Sequence, residues 1–537
     1  MMIPILLIED EPLSVKRAQI LLREVESELH VKLDVQVSKD YREGLDKLAL
    51  GTFPLVIIDL HLPDPKASAE EDVSEYPGLE LVAVTQSRNK DALIGVYTAH
   101  NTKETTPEIV ERHVNGLLCK NDIDDTLKGT LSKLINQVLQ RFNFSIGTKV
   151  DEVLDLAFGA QPNSQEKLQW ETCLRRFLRD AEEEVAYNYV GRGRSGAGVV
   201  AAYVDDFYPV ILKLDHSYER LKDEATRYRQ YVKRFIPKSA GTSSDDLAQA
   251  GDIGVLTYSF VGITEQPSTL SMAISELDAE QMRTAIAGYF EDNCARWYAR
   301  GGGERPYDLA GEYRDRLGIN KNKLQAICRG KSLEAAIKRA ATHIDCSAER
   351  LVEIISDAVE MERRRIICKP YTIIHGDLNV NNLIWDGNHL WIIDFAKTGE
   401  GPRLFDFIKL EASIKNDVPE PQWNGLSDED KVKIMLDVED KLLATFDIDE
   451  QFILDNAENG LRKSISAIQA VRECARAQWG RVEKEGEYWL TLFFVMAKYI
   501  DYLSRDIERN PGNYMRLVNT LVSSYRLAGM IERFSRN

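Results

Sequence analysis

Two short polar segments in the second half of the chain carry residue types suited to phosphoryl transfer. The first runs from His375 to Asn382 and includes Asp377, and the second contains Asp394. Apolar, strand-like residues border both segments, so we expect them on neighbouring loops. Asp377 would accept or orient the proton of an attacking hydroxyl, while Asn382 and Asp394 would hold Mg²⁺ through oxygen ligands. The alternative is two hairpin strands joined by a polar turn, since Asp and Asn are ordinary turn residues.

A glycine-containing segment earlier in the chain is suited to binding the phosphates of ATP. Its small residues, whose backbone N–H groups can approach phosphate oxygens closely, are Gly191, Gly193, Ser195 and Gly196. A strand-like run follows with Lys213, and the helix after it offers Glu224 or Glu219 as an ion-pair partner. We favour Glu224, which would set Lys213 against the α- and β-phosphates. The alternatives are a glycine-rich hairpin and an exposed edge strand.

The strand-like run 255–261 is the predicted hinge between two lobes. Backbone groups near Tyr258 and Phe260 are expected to hydrogen-bond adenine there. An ordinary core strand would have the same pattern, and the two interpretations are compatible.

From Gly191 onward the chain resembles the aminoglycoside phosphotransferase and choline kinase class within the protein-kinase-like fold. The resemblance rests on His375-Gly376-Asp377 with Asn382, and on Asp394-Phe395. It implies that Asp377 is the catalytic carboxylate and that Asn382 and Asp394 bind magnesium.

The same resemblance assigns three supporting roles. Lys213 binds phosphate, His375 braces the catalytic loop, and Asp406 is a structural aspartate that anchors it. Only the short segment 396–404 separates Asp394 from Asp406, and no Arg precedes Asp377, as it does in peptide kinases. A small-molecule hydroxyl or amine is therefore the expected acceptor. The alternatives are a catalytically silent ATP-binding scaffold that recruits protein partners, and an atypical protein kinase.

The N-terminal part alternates short apolar runs with amphipathic stretches, which predicts a parallel sheet with helices on both faces. Functional groups gather at the carboxyl ends of such strands. The residues at those ends are Glu9, Asp10, Asp59, Thr98 and Lys120. Carboxylates at one rim can bind Mg²⁺ and leave Asp59 able to attack a phosphoryl donor.

With this ordered set, residues 1–142 resemble the response-regulator receiver family. The resemblance implies that Asp59 is the phosphoacceptor, that Glu9, Asp10 and Asp59 bind Mg²⁺, and that Thr98 and Lys120 form the switch. It also implies an upstream sensor histidine kinase or small phosphodonor, and allows a homodimer through the receiver. An acidic loop over 64–77 departs from the family pattern, as do Leu117, in place of an aromatic residue, and Asn121, in place of proline.

The expected architecture is an N-terminal doubly wound parallel five-stranded sheet of the flavodoxin-like type, followed by a bilobal α+β kinase-like fold with a large helical lobe. The predicted divisions are a receiver at 1–142, a connector at 143–169, an N-lobe at 170–262 and a helical C-lobe at 263–537. The function predicted from them is a two-component response regulator whose receiver controls an ATP-dependent phosphotransferase.

Composition sets limits on partners and location. The 537 residues carry a net charge of −18, which argues against a nucleic-acid-binding surface. The seven scattered cysteines include no Cys-x-x-Cys pair, so neither a disulfide framework nor a zinc site is indicated. No apolar run has transmembrane length, and the apolar start is too short for a signal peptide. We therefore expect a cytoplasmic protein that does not bind membranes.

Overall fold

The computed structural model describes most of the chain. The described residues are 2–65, 76–99, 111–159, 162–192, 196–205, 210–236, 246–259, 268–274, 276–360, 365–418, 427–448, 451–452, 461–478, 485–507 and 513–534. Gly193, Ser195 and Phe260 of the predicted ATP site lie outside them, as does most of the acidic loop.

The first sheet has five parallel strands in the order β2-β1-β3-β4-β5. Its strands are β1 (Ile3–Ile8), β2 (Leu33–Ser38), β3 (Leu55–Ile58), β4 (Leu93–Thr98) and β5 (Gly116–Cys119). Its helices are α1 (Pro12–Glu28), α2 (Tyr41–Leu48), α3 (Pro77–Arg88) and α4 (Asp124–Arg141).

Alternate side chains of the strands enter cores on opposite faces of this sheet. In β1, Ile5 and Leu7 belong to one buried cluster and Leu6 and Ile8 to another. Burial on both faces is why β1, β3 and β4 are nearly continuous apolar runs, whereas the half-buried edge strand β2 alternates apolar and polar residues. The strand order is that of the flavodoxin-like fold, so the predicted doubly wound parallel sheet is confirmed.

The segment predicted as a connector, 143–169, is largely helical. It contains α5 (Val150–Phe158) and the beginning of α6 (Ser164–Phe177), with Val153, Leu154 and Trp170 buried against the second sheet. Its turn-forming residues end or cap helices: the backbone of Gly159 is left-handed after α5, and the Asn163 side chain accepts from the Glu166 N–H. Helix caps use the same residue types as linkers, so composition alone did not separate the two.

The second sheet is antiparallel, in the order β6-β7-β8-β10-β9. Its strands are β6 (Val185–Arg192), β7 (Gly198–Val204), β8 (Val210–Asp215), β9 (Leu247–Ala250) and β10 (Ile253–Ser259). Helix α7 (Tyr218–Arg227) follows β8 and continues into a π-helical turn at Tyr228–Val232. Strand β9 lies in a region whose polar composition predicted a loop.

The remaining chain is rich in helices with small antiparallel sheets. The strands are β11 (Ser268–Thr269), β12 (Arg305–Asp308), β13 (Arg365–Cys368), β14 (Thr372–Ile374), β15 (Leu383–Trp385), β16 (Leu390–Ile392) and β17 (Gly399–Gly401). They form the sheets β11-β15-β16, β12-β13 and β14-β17.

Helices make up most of this remainder. They are α8 (Leu270–Ala273), α9 (Ala279–Gly288), α10 (Ala295–Ala299), α11 (Leu309–Leu317), α12 (Lys321–Cys328), α13 (Glu334–His343), α14 (Ala348–Val359), α15 (Phe405–Asp417), α16 (Asp428–Ala444), α17 (Arg462–Ala477), α18 (Glu485–Asp506) and α19 (Asn513–Phe534). The helix-rich character is as expected, whereas the bilobal kinase-like arrangement stays a prediction. Within the described ranges, no helix combines the length and apolar character needed to cross a membrane.

The chain divides into two compact bodies. The first comprises Met1–Ala225 and Ser243–Gly262, and the second comprises Thr226–Thr242 and Ile263–Asn537. The first body therefore holds both the parallel sheet and the five-stranded antiparallel sheet, and the second holds the helix-rich remainder.

Two glycines bring loops of the first body into direct backbone contact. Gly51 lies between α2 and β3, Gly251 lies in the β9–β10 turn, and both have a positive φ, of 62° and 64°. A Cβ atom on Gly51 would lie 2.3 Å from the Gly251 nitrogen. The Gly251 N–H donates to the Arg88 carbonyl at 3.0 Å, and the Gln169 amide donates to the Leu50 carbonyl at 2.6 Å. The two sheets are thus joined by main-chain groups and by the Gln169 side chain.

Candidate functional site

Strand ends bring the two predicted catalytic segments together. Asp377 lies just beyond β14, Asn382 immediately precedes β15, and Asp394 lies just beyond β16. Strands β15 and β16 form an antiparallel hairpin, and the Ile393 N–H donates to the Asn382 carbonyl at 3.0 Å. The Asn382 amide nitrogen donates to the Asp377 carbonyl at 2.9 Å, so its Oδ1 remains for a cation.

Asp406 holds the loop that contains Asp377 through the backbone of that loop. Its carboxylate accepts from the His375 N–H at 2.7 Å and from the Gly376 N–H at 2.9 Å. The Tyr298 hydroxyl donates to the same carboxylate at 3.2 Å. Burial raises the pKa of Asp406, and these donors oppose that rise. Asp406 therefore fixes the backbone at His375 and Gly376, and its role in a kinase-like site stays a prediction.

His375 is a bracing residue in this arrangement. Its Nε2 lies 3.1 Å from the Ile393 carbonyl, so Nε2 carries the proton, and its ring meets the edge of Phe395 at 5.7 Å. Burial lowers the pKa of His375 and keeps the ring neutral. The ring therefore connects the two segments without supplying charge.

Two left-handed residues shape the loops. Gly376 has a φ of 78°, and a Cβ there would lie 2.4 Å from the Lys397 carbonyl oxygen, so only glycine fits. Asp394 has a φ of 68°, which is uncommon for a residue with a side chain. Strained backbone of this kind is concentrated at functional sites.

Two lysines that the sequence analysis did not single out hold the Asp377 carboxylate. Lys397 Nζ lies 2.9 Å from Oδ2 and Lys409 Nζ lies 3.0 Å from Oδ1. Burial alone would raise the pKa of Asp377, but the ammonium groups of Lys409 and Lys397 outweigh it and hold that pKa well below its usual range. Asp377 is therefore a fixed anion that orients a proton more readily than it keeps one.

A sequence signal for Lys409 was present. It lies three residues after Asp406 on a predicted helix, and this spacing puts both side chains on one helix face. Lys397 has the weaker signal, since it follows Asp394 by three residues in a loop.

The predicted phosphate-binding lysine lies in the first body. Lys213 Nζ is 2.7 Å from the Glu224 carboxylate, and both side chains are buried. Glu219 instead pairs with Lys222 on the surface at 2.6 Å. The Tyr258 hydroxyl also hydrogen-bonds Glu224, so this predicted hinge residue directs its side chain to the ion pair.

The glycine-containing segment is described only at its edges. Gly191 belongs to β6 and pairs with Val199 of β7 after an irregularity in the register. Gly196 has a φ of 89° just before β7. This is a hairpin that includes a left-handed glycine, and its ATP contacts stay a prediction.

A second acidic site lies at the carboxyl edge of the parallel sheet. Ligand oxygens of Glu9, Asp10 and Asp59 lie within 4.8 Å of one another, a donor set that suits Mg²⁺. Lys120 Nζ lies 2.8 Å from both Glu9 and Asp59. Burial is the main cause that raises the pKa of Glu9 to about 7, against the opposing effect of Lys120.

The predicted switch residues are placed at the same edge. Thr98 is fully buried at the end of β4, and its carbonyl accepts from the Lys120 N–H at 2.9 Å. Leu117 of β5 is half-buried and packs against the core on one face of the sheet. Leucine has no hydroxyl or aromatic ring, so this position departs from the aromatic residue that the receiver resemblance leads us to expect.

Comparison with known proteins gives partial matches. A family model described as Ternary complex associated domain 9 matches residues 345–495, which include Asp377 and Asp394. No curated protein matches the chain.

Solved receiver domains are similar to the N-terminal region. The beryllofluoride-activated DrrB receiver domain is 15% identical, with 25% of this chain and 99% of that chain covered and a TM-score of 0.20. A receiver domain protein from Methanospirillum hungatei is 20% identical, covering 26% and 97%, with a TM-score of 0.21. The chemotaxis response regulator CheY4 of Vibrio cholerae is 22% identical, covering 25% and 99%, with a TM-score of 0.20. The fold itself rests on the strand order and register described above.

Proposed function

We propose that this chain is a two-component response regulator whose N-terminal domain accepts a phosphoryl group on Asp59 and controls an ATP-dependent phosphotransferase. The observation that carries the proposal is the pair of built acidic sites. One places Asp59 between Glu9, Asp10 and Lys120, and the other places Asp377 beside Asn382 and the Asp394 loop.

In the first reaction, a carboxylate oxygen of Asp59 attacks the phosphorus of a phosphohistidine or a small phosphodonor. The new P–O bond forms as the donor's bond to phosphorus breaks, and the donor's leaving group departs. Lys120, at 2.8 Å from Asp59, pairs with the added negative charge. Glu9 and Asp10 complete a site for Mg²⁺, which would neutralise the phosphoryl oxygens.

In the second reaction, an acceptor hydroxyl or amine attacks the γ-phosphorus of ATP, and the bond to the β,γ-bridging oxygen breaks to release ADP. Asp377 orients the proton of the attacking group, which passes to solvent because the lysine-held carboxylate does not retain it. Asn382 and Asp394 would hold Mg²⁺, which would neutralise the charge on the transferring phosphoryl group.

A second candidate function is an ATP-binding scaffold that recruits partners without turnover. The observation that favours it is the engagement of both Asp377 oxygens by lysines, which opposes proton transfer. The name of the matching family model, which refers to association in a ternary complex, fits this candidate as well.

Phosphorylation with acetyl phosphate tests the first reaction. We expect one added phosphoryl group per chain, detected by intact mass, when Mg²⁺ is present, and none after EDTA or in Asp59→Asn. The control is Asp180→Asn, which replaces a largely exposed aspartate of the same body. Equal labelling in Asp59→Asn and wild type would contradict the assignment.

ATP turnover across a panel of hydroxyl and amine compounds tests the second reaction, with and without beryllofluoride on the receiver. We expect an acceptor-dependent rate that falls about 100-fold or more in Asp377→Asn and stays unchanged in Asp447→Asn, an exposed control. ATP binding without turnover would select the scaffold. Label on serine or threonine of a protein would indicate a protein kinase instead.

A further inference from the structure

The surroundings of Asp377 are rich in cations. Lys409 is almost fully buried and Lys397 is 58% exposed, yet both contact the same carboxylate. Two ammonium groups on one carboxylate leave a local excess of one positive charge. The two lysines differ in their freedom to move. The exposed Lys397 can exchange Asp377 for another partner, whereas Lys409 is buried in its contact with Asp377.

A second group of cations lies near Tyr499 and Tyr502 of α18, next to Lys409. Lys409 Nζ lies 5.9 Å from the ring centres of both Tyr499 and Tyr502, and Lys498 Nζ lies 5.0 Å from that of Tyr502. Asp501, beside Tyr502, is paired with three cations. These are Lys498 at 2.7 Å, Arg505 at 2.8 Å and Lys323 at 3.5 Å.

The charge balance of this region is positive. Its cations are Lys397, Lys409, Lys498, Arg505 and Lys323, and its carboxylates are Asp377, Asp394, Asp501 and Asp417. Five positive and four negative charges leave an excess of one, and Mg²⁺ on Asp394 would add two more. A cationic acceptor such as an aminoglycoside would meet repulsion here.

We propose that the acceptor of the Asp377 site is an alcohol or amine that also carries a carboxylate or phosphate group, and that Lys397 binds this anionic group. The proposal rests on the proposed function and specifies its substrate class. Lys397 exchanges its contact with Asp377 for one with the acceptor, while the buried Lys409 keeps the catalytic carboxylate in place. The acceptor hydroxyl is thereby held next to Asp377.

The γ-phosphate of ATP is the other anion that Lys397 could bind. The two sources are separated by loading the site with nucleotide first. If Lys397 serves the acceptor, its loss weakens acceptor binding to the nucleotide-loaded protein and leaves nucleotide binding unchanged. If Lys397 binds the γ-phosphate instead, its loss weakens binding of the nucleotide.

The test is calorimetric titration of the full chain saturated with Mg²⁺ and a non-hydrolysable ATP analogue. Two scaffold-matched sets are used, each with an anion, a neutral compound and a cation: glycerate, glycerol and aminopropanediol, and glucose 6-phosphate, glucose and glucosamine. We expect the anion of at least one set to bind about tenfold more tightly than its neutral and cationic counterparts.

Variants of Lys397 test whether this lysine binds the anionic group of the acceptor. Lys397→Met should weaken binding of the anionic compound about tenfold and change the nucleotide Kd less than twofold. Lys397→Arg should retain most of the affinity for the anionic compound. Lys338→Met, at an exposed lysine paired with Glu334, is the control and should change neither. A cation that binds most tightly, equal affinities within both sets, or no binding of any compound would overturn the proposal. Failure of the nucleotide itself to bind would overturn the proposed kinase function and this inference with it.

Discussion

The carboxylate of Asp377 is held by lysines on two different elements, one buried and one exposed. Such a group keeps its charge over the whole working range of pH, so it can align an attacking hydroxyl but gains little from taking the proton. Chemistry at this residue then depends on geometry, and the geometry depends on the backbone of its neighbour Gly376.

Replacement of Gly376 by alanine tests that dependence. The new Cβ would lie 2.4 Å from the Lys397 carbonyl at a φ of 78°, so we expect the free energy of unfolding to fall by about 1–3 kcal/mol. Urea denaturation gives the measurement. Gly529→Ala is the matched control: it lies within α19 with no atom near its would-be Cβ, and should stabilise by up to about 1 kcal/mol. Equal effects of the two substitutions would argue against a special conformation at Gly376.

The sequence predicts a contact best where the residue type and its position in a helix allow one main interpretation. Glu224 could be preferred over Glu219 because it lies in the helix body, and the structure pairs it with Lys213. Lys409 was overlooked because a lysine on a helix is usually solvated. Only tertiary packing, which puts α15 beside the loop that contains Asp377, reveals that the Lys409 side chain is buried.

At the scale of elements, α15 organises the whole candidate site of the second body. Three of its side chains contact the loop that begins at His375. Asp406 accepts from the His375 and Gly376 N–H groups, Lys409 pairs with Asp377, and Ser413 accepts from the Val380 N–H at 3.1 Å. Positions 406, 409 and 413 recur at helical spacing, so one face of the helix holds the loop.

The opposite side of α15 is fastened by a buried ion network. Glu411 pairs with Arg472 of α17 at 2.8 Å and with Lys415 at 3.1 Å, and it accepts from the Tyr488 hydroxyl at 2.5 Å. Burial would raise the pKa of Glu411, but Arg472 and Lys415 outweigh it and lower the pKa to about 2. A buried charge of this kind is stabilising only while its partners remain.

This network predicts a specific acid sensitivity. Because the folded-state pKa of Glu411 is depressed, its stabilisation is fully present above the unfolded value near 4.5 and is lost as pH falls toward 2. Thermal unfolding of wild type and Glu411→Gln should therefore differ at pH 6 and converge between pH 4.5 and 2. Glu473→Gln, at a half-exposed glutamate on α17, is the control. A difference that persists at pH 2 would contradict the mechanism.

The sequence pattern predicts the buried strands correctly. It is misleading where the same residue types occur both in linkers and at the ends of helices and strands. The central strands of the parallel sheet are predictable because burial on both faces makes them largely apolar, and the edge strand β2 is predictable from its alternating pattern. The sequence predicts a connector and a loop where the structure has helix α5 and strand β9, because Gly159 and the polar residues before β9 have linker-like composition. The packing of α5 against the second sheet and the pairing of β9 with β10 are tertiary effects that the local pattern does not contain.

At the scale of the molecule, the edge that carries Asp59 and the contact with the second sheet lie at opposite ends of the parallel sheet. Asp59 and Lys120 follow the carboxyl ends of their strands, whereas Gly51 precedes β3 and Arg88 ends α3. A change at Asp59 therefore has to cross the parallel sheet before it reaches Lys213. The Arg176–Asp91 ion pair, at 3.2 Å, reinforces the contact at the far end.

Substitution of Gly51 tests the contact between these sheets. In Gly51→Ala the Cβ would meet Gly251 backbone at 2.3 Å, so we expect loss of the Gly251 N–H bond to Arg88 and faster hydrogen exchange at that amide. Gly129→Ala, in open space on α4, is the control and should leave the exchange unchanged. Unaltered protection in Gly51→Ala would show that the loops are not in contact in solution.

The close approach of Gly51 and Gly251 also has an evolutionary and an engineering consequence. Residues 1–142 are not an interchangeable cassette, since a transplanted domain of the same fold with a side chain at position 51 could not seat on the β9–β10 turn. Chimeras should need both glycines at once, and homologous chains should keep or lose the two together.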